Sequence, residues 1–241
     1  MQKIKHGACA FAAASLVSFV ATAQAAESGP GLYGRLSVGP SLVQDMNFAE
    51  SSTANLALDP KAGFAVNGAV GYRVNDVLRL EFDLGYGRND LDGAFQQNVQ
   101  AFVPCGEIAG NPCLSPNADG EARTLSGFAM AYYDLPVAGA LRPYVGAGVG
   151  LLEADVDVGA RATMNAGTVS RFEIINGSDT LMGYRGAVGV VYAMDAVDIT
   201  FGYTYTLTER MNIPGKGTLV NFDFDRRVTA HTFGAGVSYN F

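Results

Sequence analysis

Charged side chains occupy alternate positions at Arg79, Glu81 and Asp83, and apolar residues stand between them. Residues two apart on an extended strand share one face, so these three side chains are expected to lie together. The residues predicted on such faces are Arg35, Asn67, Arg79, Glu81, Asp83, Arg185 and Asp198. Charges removed from water need partners of opposite sign. The predicted chemistry is therefore ion pairing, with Glu81 and Arg185 as the central pair.

One histidine, His231, follows the N-terminal apolar stretch. Acyl or ester chemistry would need this histidine within hydrogen-bonding reach of a serine or an acid. In the segment His231-Thr232-Phe233 it shares the apolar phase with phenylalanine, which is typical of an aromatic residue at a lipid interface. The sequence therefore predicts no catalytic residue, no cofactor site and no metal site.

Two cysteines, Cys105 and Cys113, enclose a turn-rich segment, whereas Cys9 lies in the N-terminal apolar stretch. A disulfide between Cys105 and Cys113 would close a small ring and would suit an oxidising compartment. A zinc site would require two further ligands nearby. The sequence predicts the disulfide.

Strict alternation of apolar with polar or small residues is clearest in the segment 197–208, where Phe201, Tyr203, Tyr205 and Leu207 form one apolar face. Twelve residues at about 3.3 Å each, tilted by about 40°, cover the apolar band of about 25 Å that a membrane strand must cross. Seven other segments show the same pattern, although the inward face of 123–135 stays unassigned. The eight predicted strands are 32–43, 63–74, 78–88, 123–135, 142–153, 181–194, 197–208 and 228–241.

The connections between these strands alternate between short and long. Short periplasmic turns and long extracellular loops are typical of a bacterial membrane barrel. We predict an all-β fold, an eight-stranded antiparallel transmembrane β-barrel with up-and-down connections. Because eight strands leave an interior that side chains just fill, the charged residues form a salt-bridged plug. The alternative is a gate, whose exchange of ion-pair partners would open a narrow pore.

The composition and the N-terminus indicate export. Among 241 residues, 49% are apolar and 16% are charged, and the net charge of −7 without a basic cluster excludes a nucleic-acid partner. Lys3 and Lys5 precede an apolar stretch and the motif Ala23-Gln24-Ala25, which fits a signal-peptide cleavage site. We expect a signal peptide at 1–25 and a barrel domain at 26–241. The alternative is an uncleaved anchor at 7–26.

The C-terminal residues Gly236, Tyr239 and Phe241 match the signal that delivers outer-membrane barrels to their assembly machinery. Together with the segments 132–134, 142–150 and 185–189, they make the chain resemble small eight-stranded outer-membrane barrels, namely the outer-membrane protein A transmembrane domain, opacity proteins and related surface antigens. The resemblance covers 29–241. It implies location in the outer membrane and contact with the assembly machinery, but it implies no enzymatic activity.

Charged residues at the predicted rim of the barrel suggest contacts with lipid headgroups. The pairs Asp155/Asp157 and Asp223/Asp225 lack the further ligands of a calcium loop, and we interpret them as solvated carboxylates. Basic residues in the same regions could bind lipopolysaccharide phosphates. They are Arg161, Arg171, Arg210, Lys216, Arg226 and Arg227.

The expected role is structural, adhesive or that of a surface antigen, through extracellular loops at 46–60, 89–122, 154–179 and 210–226. The predicted partners are outer-membrane lipid, lipopolysaccharide, the assembly machinery and a host or environmental ligand. The alternatives are a narrow gated pore, a lipid A-modifying enzyme and a soluble ligand-binding barrel. Against the soluble barrel stands the apolar face of 197–208, which would be exposed to water.

Overall fold

The computed structural model describes residues 30–44, 46–51, 54–97, 114–137, 139–163, 169–194, 196–216 and 221–241. These residues form strands and their connections, and none of their segments is a helix long and apolar enough to cross a membrane. The strands are β1 (Gly31–Val43), β2 (Met46–Ser51), β3 (Ala54–Pro60), β4 (Gly63–Arg73), β5 (Leu78–Gln97), β6 (Leu114–Asp134), β7 (Leu141–Thr163), β8 (Val169–Ala193), β9 (Val197–Lys216) and β10 (Asn221–Asn240).

Eight of these strands, β1 and β4 to β10, close into an antiparallel barrel, which confirms the predicted fold. Each strand pairs with its neighbour along this series, and β10 returns to pair with β1 through Tyr33 and Asn240. The short turns lie at one end. In the turn between β4 and β5, the Asn75 Oδ1 atom accepts hydrogen bonds from the backbone of Val77 and Leu78 at 3.0 and 2.8 Å. This side chain supplies the acceptor that a tight turn needs.

Side chains alternate between the two faces of the barrel wall. On β5, Phe82 and Leu84 are more than half exposed on the outside, while Arg79, Glu81 and Asp83 are at most 5% exposed inside. The alternation also resolves the face that the sequence left open, because Phe128, Met130 and Tyr132 of β6 point inward and are buried. These three residues pack with Ala187 and Tyr144. An aromatic cluster therefore fills part of the interior beside the charges.

Glycines opposite this cluster leave room for the aromatic rings. A Cβ atom at Gly146 would lie 2.4 Å from the Tyr132 ring, and one at Gly202 would lie 2.2 Å from the Tyr144 hydroxyl. Contacts this short are sterically forbidden. The alternate glycines of β7, and Gly202 of β9, are thus explained by space inside the barrel, as the sequence suggested for a crowded strand interior.

Most of the segments predicted as extracellular loops contain strands, so the sequence was wrong about their structure. β5 to β10 each continue well past the predicted ends, and β8 reaches 25 residues. β2 and β3, which both lie within the predicted loop 46–60, pair with each other, and β3 pairs with the upper part of β5. The period-two pattern was less legible there because polar residues occupy both faces in several places. Backbone pairing nevertheless extends the sheet outward.

The extended strands enclose an apolar core above the charged interior. Leu91, Val158, Ile175 and Met211, from four different strands, are each at most 1% exposed. Burying such side chains stabilises each by about 1.5–3 kcal/mol relative to exposure. The barrel interior therefore has two levels, a charged level within the expected membrane band and an apolar level outside it.

Candidate functional site

The charged interior is organised by β5, which directs Arg79, Glu81 and Asp83 inward at successive alternate positions. Arg35 on β1 lies closest to the middle of this series. Its Nη2 atom donates to Glu81 Oε2 at 2.6 Å and to Asp83 Oδ2 at 3.0 Å. Because one guanidinium contacts both acids, Arg35 neutralises the charges of two successive inward-facing acids of β5.

Arg79 connects this series to β6. Its Nε and Nη2 atoms donate to the two carboxylate oxygens of Asp134 at 2.7 and 2.8 Å, and Nη1 donates to Glu81 at 3.2 Å. The guanidinium also lies 5.0 Å from the ring centre of Tyr132 and 5.4 Å from that of Tyr144. Bidentate ion pairing and cation–π contact together fix its position.

Arg185 on β8 does not pair with Glu81, which corrects the predicted central pair. Its Nη1 atom donates to Asp83 Oδ1 at 3.1 Å, and its Nη2 atom donates to Ser126 at 3.3 Å. Glu81 is engaged instead by Arg35, by Arg79 and by the Tyr33 hydroxyl, which donates to Oε1 at 2.5 Å. The predicted pair was wrong because the tilt of the strands decides which inward-facing residues meet across the barrel. Alternation along the sequence shows only on which face of the strand a residue lies.

Asp198 lies apart from this series, with Arg73. The Arg73 Nη2 atom is 3.5 Å from Asp198 Oδ2, to which Asn240 also donates at 3.3 Å. Among the described residues, Asp198 Oδ1 is the buried side-chain oxygen that has no hydrogen-bond partner. Asp198 is therefore less fully satisfied than the other buried acids.

Sequence reasoning missed Arg73, Asp134 and Tyr33 as members of the interior network. Arg73 has the same phase as Asn67 on β4, so alternation could have identified it. Asp134 lies on the strand whose face was unassigned. Among the described residues, the arginines of this interior network are Arg35, Arg73, Arg79 and Arg185, and the acids paired with them are Glu81, Asp83, Asp134 and Asp198. Four positive and four negative charges therefore balance.

A polar cavity of about 50 Å³ remains within this network. Its lining includes Arg35, Asp83, Arg185, Tyr144 and Thr204. One water molecule needs about 10–15 Å³ of such space, so the cavity is large enough for ordered water. The apolar core of Leu91, Val158, Ile175 and Met211 lies beyond it, on the side of the extended strands.

His231 lies on the outer face of β10 in an aromatic group. The Tyr203 hydroxyl is 2.6 Å from Nδ1, and the Gln44 side-chain nitrogen is 3.3 Å from Nε2. The rings of Tyr205 and Phe233 complete the group, with Tyr205 centred 5.3 Å from the imidazole and Phe233 centred 5.1 Å from Tyr203. This environment suits an interface residue. In the described part of the chain, no three histidine, cysteine or acidic side chains are grouped to hold a metal ion.

The C-terminal residues lie at the seam that closes the barrel. The Phe241 backbone N–H donates to Leu32 at 3.0 Å, and its ring meets that of Tyr239 edge-on at 5.2 Å. Gly236 pairs with Ser37 on β1, and an added Cβ there would lie 2.5 Å from the Leu36 carbonyl oxygen. The predicted assembly signal thus coincides with the strand that completes closure.

Several predicted site residues cannot be located from the structure. Cys105 and Cys113, like the segment 1–25, lie outside the described residues. The described side chains likewise do not include those of Arg161, Arg171, Lys216, Asp223, Asp225 and Arg226. Asp155 is exposed on β7, and Asp157 accepts a hydrogen bond from Asn176 at 3.3 Å.

The family model described as outer membrane protein beta-barrel domain matches residues 10–241. The chain is 26% identical over 243 residues to the outer membrane protein PagN of Salmonella typhimurium, covering 94% of this chain and 95% of PagN. It is 27% identical over 185 residues to an uncharacterized protein of Brucella abortus, covering 73% of this chain. The match spans 60% of the Brucella protein's length.

Two solved structures share the fold. Neisserial surface protein A has a TM-score of 0.50 and 24% identity, covering 89% of this chain and all of that one (100%). The outer membrane protein OprG of Pseudomonas aeruginosa has a TM-score of 0.51 and 12% identity, covering 88% of this chain and 98% of its own.

Proposed function

The chain belongs to the outer membrane protein beta-barrel domain family, and from this premise we propose that it is a non-catalytic surface protein, which uses a closed barrel as an anchor and its extracellular strands as a contact surface. Its location is the outer membrane, where the barrel is embedded in lipid. The proposed partner is a host or environmental ligand at the extracellular surface.

The observation that carries this proposal is the length of the strands beyond the membrane band. A tilted strand crosses the bilayer in about 9–11 residues, whereas β7 has 23 residues and β8 has 25. More than half of each strand therefore lies outside the hydrocarbon. Buried Val158, Ile175 and Met211 hold these extensions together. A rigid surface loses little conformational entropy when it binds a partner, which favours recognition.

The interior supports an anchoring role over a pore. Balanced ion pairs fill the membrane level, and the apolar core covers them on the outside. A gate would require Asp83 to release Arg35 or Arg185. In planar bilayers we expect no steady openings from the refolded wild type or from Glu81→Ala. Steady openings in Glu81→Ala that wild type lacks would support the gated pore instead.

Biogenesis supplies further proposed contacts. We infer that the signal peptide 1–25 is removed after export and that the assembly machinery reads Gly236, Tyr239 and Phe241. Lipopolysaccharide is the proposed lipid partner at the rim. Purified mature protein beginning at Ala26 would support the first step, and an N-terminus that retains Lys3 and Lys5 would contradict it.

Adherence of cells tests the surface role. A non-adherent bacterial strain would express wild type or a shortened variant in which Arg88 and Arg123, which are register partners, are joined by an Asn-Gly turn. This variant keeps the membrane part of β5 and β6 and removes their extensions. We expect wild type to increase adherence to a panel of immobilised matrix proteins and the variant to lose that increase while still showing heat-modifiable mobility. Equal adherence with and without wild type would contradict the proposal.

A further inference from the structure

A β-bulge in β9, near the top of the expected membrane band, changes which residues of that strand face outward. The register between these strands shifts between Arg227 and Thr229. At this point the Thr208 side chain accepts a hydrogen bond from the Val228 backbone N–H at 3.0 Å. Below the bulge Thr206 and Thr208 are buried, whereas above it Met211 is buried and Arg210 is exposed. The bulge thus turns Arg210 outward, as bulges re-aim side chains elsewhere.

The same bulge places Arg210 directly opposite Arg227, and both residues are exposed. Like charges in directly opposed strand positions destabilise each other. Within the part of the chain that the structure describes, Arg227 makes no ion pair. Arg210 takes part in a further interaction, so Arg227 provides the uncommitted guanidinium of this pair.

The arginine pair lies above the aromatic group of the outer surface. Below it on the outer surface lies the register pair Leu207 and Thr229, and below that lie Tyr205 on β9 and His231 on β10, within the aromatic group described above. Aromatic residues of this kind mark the membrane–water interface of outer-membrane barrels. Arg210 and Arg227 therefore lie two outward positions beyond the aromatic group, on the side of the extended strands.

A second arginine pair on the opposite side of the rim shows how such an arrangement is neutralised. Arg88 and Arg123 are register partners on β5 and β6, and both are about half exposed. The Glu121 carboxylate contacts both guanidinium groups, at 2.7 Å from Arg88. An oxyanion therefore binds between two opposed arginines on the outer face of the same barrel.

We propose that Arg227 and Arg210 form a binding site for a phosphate group of an outer-leaflet glycolipid, lipid A in lipopolysaccharide. The rim favours phosphate on this side, because the outer face of β5 and β7 carries exposed Asp90, Asp92 and Asp155. Glu209, adjacent to Arg210 and also exposed, opposes an anion and provides a control. The inference rests on the proposed contact with lipopolysaccharide, but it is independent of adherence.

Native mass spectrometry of the refolded full-length mature chain in detergent tests the site. The probes are bisphosphorylated lipid A, dephosphorylated lipid A with the same acyl chains, and inorganic phosphate as a competitor. We expect Arg227→Gln to weaken binding of phosphorylated lipid A about tenfold, the loss of one charge-assisted contact. Arg88→Gln, at the arginine pair that Glu121 already neutralises, should stay within about twofold of wild type. Glu209→Gln should bind as tightly as wild type or more tightly.

The outcomes separate the sources of the phosphate. Equal affinity of Arg227→Gln and wild type, or equal affinity of wild type for both forms of lipid A, would overturn the proposal. Complete competition by millimolar inorganic phosphate would show that the site takes free phosphate and would overturn the lipid assignment. Arg227→Lys keeps the charge but loses the bidentate fork, and an intermediate affinity would support the site. Heat-modifiable mobility checks that each variant folds. These affinities do not depend on adherence, so a cell assay that contradicts the surface role would leave this test of the lipid A site intact.

Discussion

Arg79 and Asp134 face each other across β5 and β6 in a buried bidentate pair, with two nearly equal hydrogen bonds of 2.7 and 2.8 Å. The same guanidinium reaches Glu81, which in turn holds Arg35. The pair therefore joins the end of the barrel near the short turns to the central charges. Its partners are too deeply buried for water to replace them.

Asp134→Asn should destabilise the barrel by about 3–5 kcal/mol, because it leaves the Arg79 charge buried without its main partner. Urea unfolding in lipid vesicles measures this change. The control is Asp92→Asn, which removes the partner of exposed Lys61, 2.5 Å away, and should leave the unfolding midpoint unchanged. Equal midpoints for Asp134→Asn and wild type would show that the pair does not stabilise the fold.

Arg185 should couple to Asp83 more strongly than to Glu81. Double-mutant cycles with Arg185→Gln, Asp83→Asn and Glu81→Gln isolate each pairwise energy. We expect a coupling above about 1 kcal/mol for Arg185 with Asp83, and below about 0.5 kcal/mol for Arg185 with Glu81. The reverse order would restore the central pair that the sequence predicted.

Met211→Ala should loosen the extracellular extension while the membrane part stays folded. Truncation of a fully buried methionine costs about 2–5 kcal/mol, and here that cost falls on strands held by the apolar core. Protease added to intact cells should then cleave the extension faster. Met182→Ala removes the same side chain from an exposed outward position and should be cleaved at the wild-type rate. Identical rates for both variants would contradict an apolar core around Met211.

Lipid A should have the same mass spectrum in cells that express the protein and in cells that lack it. His231 is positioned by Tyr203 and Gln44 on the outer face, as suits an interface residue. A new lipid A species that disappears with His231→Ala would identify a catalytic histidine and would refute the non-catalytic role.

The predicted disulfide remains to be tested by mass spectrometry. Oxidised Cys105 and Cys113 should appear as one crosslinked peptide, and reduction should separate this signal into its components. Two free thiols in protein purified from the outer membrane would contradict the prediction.

The barrel could be predicted from the sequence because alternation such as that around Phe82 and Leu84 reports directly which face meets lipid. The interior residues of β5 followed from the same alternation. The inward face of β6, which carries Phe128, Met130 and Tyr132, could not be predicted, because apolar residues occupy both faces of that strand. The tilt and stagger of the strands decide which charged residues meet. The contact of Arg185 with Asp83 therefore could not be predicted from the sequence. The arginine pair at the rim depends on a bulge, which adds one residue and reverses the phase without a legible sequence signal.

The central claim is that the barrel spans the outer membrane with its short turns inside and its extended strands outside. Single cysteines at Ser178 on β8 and at Asp76 in the turn before β5 test it, in a background with Cys105 and Cys113 replaced by serine. A membrane-impermeant maleimide applied to intact cells should label Ser178→Cys and leave Asp76→Cys unlabelled until the cells are lysed. Labelling of Asp76→Cys in intact cells, with Ser178→Cys protected, would contradict the account.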